Sequence, residues 1–182
     1  MFKEVDKKLW KSFIKGDDDA FNGLYTQFVN TLYAFGLRYA DDAELVKDSI
    51  HDLFVDLYKY RKTLKADVNV KSYLFTSLKR KIFLLLKQES RKGIFEADFM
   101  FSFSIEDQMI NNEEQSELKA KLKKQLTLLP SRQKEAIYLR FNAELEYEEI
   151  ATVMNISMET CRTLVYRGIK QLRENLVIQH VE

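Results

Sequence analysis

The sequence predicts an all-α protein: two small helical domains joined by an acidic linker, with a helix-turn-helix in the C-terminal domain. Three observations carry this expectation. The 182 residues include only five Gly and a single Pro, Pro130, in a chain rich in Leu, Lys, Glu and Phe, a composition that favours helix throughout. Apolar residues recur at three- and four-residue spacing, the period of an amphipathic helix rather than of a strand. Charge is also unevenly placed. The net +1 conceals +5 over residues 1–92 (18 Lys and Arg against 13 Asp and Glu) and +4 over residues 119–176 (11 against 7). Between them, residues 93–118 hold seven acids and no Lys or Arg. Two basic domains, 1–92 and 119–182, are therefore expected on either side of an acidic segment, 93–118.

The N-terminal domain divides into four helices. The first is predicted from Phe2 to Lys15, ended by Gly16. A second begins at the acidic residues Asp17 to Asp19, which suit an N-cap, and places Phe21, Leu24, Tyr25, Phe28, Leu32 and Phe35 on its apolar side. Asp41 and Asp42 start a third, in which Val46, Ile50, Leu53, Phe54 and Leu57 repeat at helical spacing. On that helix Asp48, Asp52 and Asp56 follow at intervals of four and share a face opposite much of the apolar stripe. Such a face can meet a basic partner, or it can simply be solvated. His51 lies beside Asp52, but no second His or Cys stands at ligand spacing, so no metal site is expected.

The fourth helix, Val70 to Lys87, mixes aromatic and basic residues: Lys71, Tyr73, Phe75, Lys79, Arg80 and Lys81. Aromatic faces for stacking and cations for phosphates are what single-stranded nucleic acid requires. A helix has two faces, however, and only one can meet DNA, so a core role stays open for Tyr73 or Phe75. The preceding loop, Lys62 to Lys71, is placed to rim a pocket for an unstacked base.

The acidic segment carries Phe95, Phe99, Phe101 and Phe103 without a sustained helical repeat. Its aromatics can pack on one of the domains, or the segment can occupy a basic nucleic-acid channel.

Near the C-terminus a helix is predicted from about Tyr147, with Glu148 and Glu149 in its first turn, where negative charge favours the helix dipole. Ile150, Ala151 and Met154 follow at helical spacing. Asn155 suits a left-handed position after the helix end, and Ser157 is a natural N-cap for a helix beginning at Met158. That leaves a turn of about three to four residues, as in a helix-turn-helix. In the second helix Cys161, Val165, Gly168 or Ile169, and Leu172 form the packed stripe, with Gly168 expected to let the first helix of the pair approach closely. Thr160, Arg162, Thr163, Tyr166, Arg167 and Lys170 face the other way. That face suits a major groove, where Arg can bond the acceptor edge of guanine while Thr and Lys hold phosphates. A solvated amphipathic helix would present similar charges.

Several functions are disfavoured. No run reaches the length of a membrane span, and "MFKEVDKKLW" does not read as a signal peptide, so a cytoplasmic protein without membrane insertion is expected. A lone cysteine, Cys161, rules out an internal disulfide framework, and its position on the packed stripe suits a buried thiol. There is no Ser-His-Asp set, no Gly-rich phosphate loop and no metal quartet. No enzyme activity, cofactor or metal is expected.

The segments "LPSRQKEAIYLRF", "YEEIATVMNIS" and "ETCRTLVYRGIKQLRE" span nearly fifty consecutive residues. Together they resemble the C-terminal DNA-binding domain of bacterial RNA polymerase sigma factors of the extracytoplasmic-function group. The resemblance implies that the helix from Glu159 to Lys170 reads the minus-thirty-five promoter element. Leu164 stands there where many members carry Arg, which implies an apolar base preference, toward a thymine methyl. The third helix resembles the family segment that docks on a helical coiled coil of the largest polymerase subunit, implying polymerase contacts from Asp48, His51, Asp52 and Asp56. The fourth resembles the promoter-melting segment, implying that Lys71, Tyr73, Phe75, Lys79 and Arg80 hold the melted strand of the minus-ten element. Two departures stand out in it: Tyr73 replaces a common Trp, and Arg80 a common Asn. The acidic segment corresponds to one that threads through polymerase. The implied partners are core RNA polymerase, promoter DNA and an anti-sigma factor. Two other functions fit the residues alone: a dimeric or ligand-responsive helix-turn-helix regulator, and a helical adaptor that binds only protein.

Overall fold

A computed structural model of the chain describes residues 2–89, 99–100 and 113–178. Among these residues there are eight α-helices, one 3-10 turn and no strand, so the all-α expectation holds. None of the described helices is long and apolar enough to cross a membrane. The chain divides into two compact units, Met1–Ala97 and Asp98–Glu182.

In the first unit, α1 (Phe2–Ile14), α2 (Asp18–Gly36), α3 (Ala43–Tyr60) and α4 (Val70–Glu89) form a bundle, with a 3-10 turn at Arg61–Thr63. Local chemistry sets each boundary. Gly16, at φ +100°, occupies a conformation that L side chains avoid and turns the chain out of α1. Asp17 then caps α2, its Oδ1 accepting from the amides of Asp19 (3.0 Å) and Ala20 (3.1 Å). Asp42 caps α3 in the same way, through Glu44 (2.9 Å) and Leu45 (3.2 Å). Asn69 caps α4 by accepting from the amide of Ser72 at 3.1 Å.

Most of the residues in the stripes anticipated from sequence form the core, whereas Phe21 is half-buried and Tyr25 exposed. Leu24, Phe28, Leu32 and Phe35 of α2 pack with Val46, Ile50 and Leu53 of α3 and with Leu74, Leu78 and Ile82 of α4, all buried, and Trp10 and Phe13 of α1 are buried too. Buried polar groups find partners: Ser49 Oγ donates to Leu45 O at 2.8 Å, and Asp6 accepts from Gln27 Nε2. At the end of α2 the helices come very close. A Cβ on Gly36 would lie 2.5 Å from Val46 Cγ1 and 3.2 Å from Ile82 Cδ1.

The second unit contains α5 (Glu113–Leu128), α6 (Ser131–Phe141), α7 (Tyr147–Met154) and α8 (Met158–Ile178). Residues 113–118, read from sequence as the end of the acidic segment, lie in the first turns of α5. Leu126, Leu129 and Ile137 form a buried cluster against which Leu122 and Leu172 pack. Asn175 Nδ2 bonds Gln125 Oε1 at 2.9 Å, tying α8 to α5.

Phe99 belongs to this unit. Its ring is buried with its centroid 5.5 Å from that of Tyr138, and its amide donates to Ser131 Oγ at 2.8 Å. One of the four phenylalanines of the acidic segment therefore packs on the C-terminal unit; Phe95, Phe101 and Phe103 lie outside the described residues.

The role expected of Gly168 needs correcting. A Cβ there would lie 2.6 Å from Ile137 Cδ1, so the close approach is to α6 and not to α7, the first helix of the pair.

The two glycines differ in what surrounds them. Gly36 faces Val46, whose branched Cβ cannot swing aside, whereas Gly168 faces the tip of a longer Ile chain. Gly36→Ala is therefore expected to destabilise the protein by about 1–3 kcal/mol, outweighing the roughly 1 kcal/mol gained in helix propensity. Gly168→Ala is expected to cost clearly less. Urea denaturation of both variants measures this, and an equal cost would contradict the packing argument.

Candidate nucleic-acid and protein interfaces

The turn between α7 and α8 is built by its own side chains. Glu146 and Glu149 form a capping box, with the Glu146 amide donating to Glu149 Oε2 at 2.6 Å. Asn155 ends α7 in the left-handed conformation (φ 52°, ψ 55°). Ser157 Oγ accepts from the Thr160 amide at 3.1 Å and starts α8. The sequence motif thus becomes a helix-turn-helix with the expected register.

That register buries Cys161, Val165 and Gly168 and exposes Thr160, Arg162, Thr163, Tyr166, Arg167 and Lys170, leaving Leu164 half-buried. Tyr166 is 67% exposed. The two threonines have local partners. Thr163 Oγ1 donates to Glu159 O at 2.9 Å, and Thr160 Oγ1 lies 2.8 Å from Ser157 Oγ. The long side chains Arg162, Tyr166, Arg167 and Lys170 reach furthest from the helix. Lys170 lies 3.8 Å from Glu174, an exposed pair that a phosphate can displace at little cost. Half-burial leaves Leu164 only partial access to a base methyl.

Tyr147 is a residue whose role sequence reasoning missed, since it was read only as the start of a helix. The Arg140 guanidinium lies 5.0 Å from its ring centroid and that of Arg162 5.8 Å. Arg140 is itself held, donating from Nη1 to Leu145 O (3.0 Å) and Glu146 Oε2 (3.2 Å). The ring is thus placed to restrain Arg162 before any ligand arrives. Burial pushes the Cys161 thiol above its ordinary range, with the charges of Arg140 and Arg162 opposing, so it stays a neutral packing group.

On α4 the sequence-derived set separates. Phe75 is 1% exposed, its ring centroid 4.8 Å from that of Phe35. It is a core residue and cannot serve as a stacking surface for a base, because a helix that packs against α2 and α3 must give that side to the core. Tyr73 is half-buried, its ring centroid 5.4 Å from that of Trp10. Lys71 is half-buried and Arg80 exposed. Lys79 is half-buried, with its ammonium 5.3 Å from the ring centroid of Tyr39 and 5.8 Å from that of Phe83.

On α3, Asp48, His51 and Asp52 are exposed. Asp56 is not part of that face in the way its spacing suggested, because its Oδ2 accepts from Lys81 Nζ of α4 at 2.6 Å. Steps of four residues advance about 40° beyond a full turn, so over two steps Asp56 rotates toward α4. Among the described residues no group of His, Cys, Asp or Glu is placed to hold a metal.

Beside His51 lies an apolar groove that charge-based reading overlooked, lined by Phe21, Tyr25, His51, Phe54, Val55, Tyr58 and Lys59. Tyr25 is 43%, Val55 47% and Tyr58 40% exposed. The rings are stacked edgewise, Tyr25 on Phe54 (4.9 Å) and Phe21 on Tyr58 (5.2 Å), which holds the groove open as a formed surface. Val55 and Tyr58 sit off the main apolar stripe, the signal that could have revealed it.

Residues 119–172 match the family described as "Sigma-70, region 4". The chain is 25% identical over 150 residues to the ECF RNA polymerase sigma factor SigM of Bacillus subtilis, covering 82% of this chain and 91% of that one. It is 21% identical over 179 residues to SigW of the same organism, covering 93% and 96%. Among solved structures, CnrH in complex with the cytosolic domain of CnrY aligns over 96% of this chain and 98% of its own, with a TM-score of 0.64 and 18% identity. The sigma factor RpoE from Bartonella quintana, in complex with the anti-sigma factor NepR, aligns over 87% and 97%, with a TM-score of 0.60 and 21% identity. These structures share the fold, and the sequence relatives extend across both helical units. Residues 119–172 thus carry the region 4 match on the helix-turn-helix, and along nearly its whole length the chain is similar to bacterial RNA polymerase sigma factors of the extracytoplasmic-function group.

Proposed function

We propose that the chain binds core RNA polymerase, directs it to promoters through two DNA-contacting surfaces, and helps open the duplex. The observation that carries this is the exposed face of α8, with Arg162, Tyr166, Arg167 and Lys170 presented by a capped helix-turn-helix. In this reading the C-terminal unit, from about residue 119, reads the minus-thirty-five element. The N-terminal unit, to about residue 92, contacts polymerase through α3 and the minus-ten element through α4 and its preceding loop. Asp48, His51 and Asp52 supply charge to the polymerase contact, and the adjoining groove of Tyr25, Val55 and Tyr58 supplies apolar area. The work is done by binding and not by bond chemistry, and it takes place in the cytoplasm, where polymerase is found. An anti-sigma factor would act by covering these same surfaces. Co-purification with core polymerase followed by transcription in vitro tests the whole reading: a conventional regulator would not confer initiation, and a protein-only adaptor would bind no DNA.

Three outcomes are expected of variants. Arg162→Ala should cost about 1–3 kcal/mol of upstream-element affinity and relax sequence preference, whereas Lys170→Ala should weaken all sequences alike and reduce the salt dependence. Electrophoretic mobility shifts at several salt concentrations distinguish the two. Upstream-element binding that survives loss of Arg162, Arg167 and Lys170 together would sink the assignment.

Reversing Asp48 and Asp52 to Lys should weaken polymerase binding while leaving helix content by circular dichroism nearly unchanged, because exposed charges contribute little to stability. Undiminished binding would mean that the acidic face is merely solvated.

Arg80→Ala should lower open-complex formation on a duplex promoter while sparing a template supplied with a pre-melted bubble, as read by permanganate reactivity of unpaired thymines. Lys79→Ala should show a smaller opening defect together with a loss of thermal stability, since its ammonium lies over two rings. Wild-type opening by the double variant would give this surface another purpose.

A further inference from the structure

The loop between the 3-10 turn and α4 carries residues 64–69, and its two ends are held locally. Leu64 N donates back to Arg61 O at 3.3 Å, and Asn69 caps α4 through the Ser72 amide at 3.1 Å. The loop is also held from elsewhere, next to its first residue. Trp10, on α1, is only 1% exposed, and its Nε1 donates to Lys65 O at 3.0 Å across 55 residues of sequence. The same indole lies 5.4 Å, centroid to centroid, from the ring of Tyr73 on α4. One turn earlier on α1, Lys7 Nζ stands 3.7 Å from Asp67 Oδ1, a second and weaker tie to the same loop. One buried side chain therefore touches both the loop backbone and the aromatic ring that follows it.

We infer that Trp10 is a positioning residue for promoter opening, setting the distance between the loop rim and Tyr73 so that a pocket for an unstacked base exists before DNA arrives. The inference rests on the reading of the loop and Tyr73 as that pocket. Its physical basis is preorganisation. A loop of mostly exposed residues samples many conformers, and ordering it only on binding would subtract from affinity, whereas a hydrogen bond from a buried indole to its backbone at Lys65 reduces that cost in advance. Ring packing against Tyr73 transmits the same restraint to the stacking surface. Trp10 does not touch DNA itself, so its effect should appear in base discrimination and not in phosphate binding.

Because Trp10 is the sole tryptophan, biosynthetic replacement by 3-benzothienylalanine changes this position alone, keeping the bicyclic shape while removing the N–H donor. Trp10→Phe is the genetic counterpart. Each form would be assembled with core polymerase and given a promoter selected from a random-sequence pool by the parent holoenzyme. The affinity for the single non-template strand of its melted region would then be measured, with the selected base intact or replaced by an abasic site. Photocrosslinking from that base maps its contacts in the parent.

The expected result is core binding close to the parent's, with a melting temperature modestly lowered in the isosteric form by the lost hydrogen bond and lower still for Trp10→Phe, which also leaves a cavity. Single-strand affinity should fall about three- to ten-fold, as befits one lost hydrogen bond, and the preference for the intact base over the abasic site should shrink with it. Unchanged affinity and preference, with parental crosslinks mapping to residues 62–73, would overturn the role of Trp10 and leave the pocket standing. Parental crosslinks mapping elsewhere would overturn the pocket, and the inference with it. A loss of core binding in the isosteric form would show Trp10 to be general scaffolding and would also overturn it.

Discussion

Each functional helix in this protein must divide its circumference between a core and a partner, and in units this small the core has first claim. A domain of under a hundred residues has little surplus apolar surface, so the α4 side bearing Leu74, Phe75, Leu78 and Ile82 is not negotiable. What remains outside the core is the strip holding Arg80 and the margins at Lys71 and Tyr73, the side proposed to meet DNA. On α8 the same division leaves a wider outward face, because packing needs only Cys161, Val165 and Gly168 in the reader segment. The close approach at Gly168, with Ile137 where a Cβ would otherwise stand, lets α6 support α8 without taking more of its surface.

Much of this was legible in the residues. Helix ends were, because caps act over two or three positions: Asp17, Asp42, Asn155 and Ser157 do in space what their side-chain chemistry announces. The apolar stripes were legible too, since burial of one face imposes a period. Contacts between elements were harder to see. Asp56 was grouped with Asp48 and Asp52 by spacing, yet the drift of the helix carries it to Lys81. Phe75 looked like a stacking residue because composition does not say which side of α4 faces inward. The Tyr147 ring beside Arg162 and the Trp10 bond to Lys65 each join residues far enough apart in sequence that no local pattern marks them.

The acidic segment was open to two readings, and Phe99, among the described residues, favours packing on a domain. Phe99 is seated against Tyr138, with its amide held by Ser131, so hydrophobic burial and a hydrogen bond act at the same residue. Ser131 is also the first residue of α6, the helix whose Ile137 meets Gly168. The segment's attachment and the support of the reader helix thus share one element.

The placement of two single-copy side chains has a spectroscopic consequence. The one tryptophan, Trp10, is buried in the first unit, and the one cysteine, Cys161, is buried in the second. Indole emission therefore reports on one unit and thiol accessibility on the other, with no engineered label in either. If the units melt independently, a denaturant titration followed by both signals resolves two midpoints from an unmodified chain. If they coincide, the two units behave as a single cooperative system, and the usual two-state treatment applies.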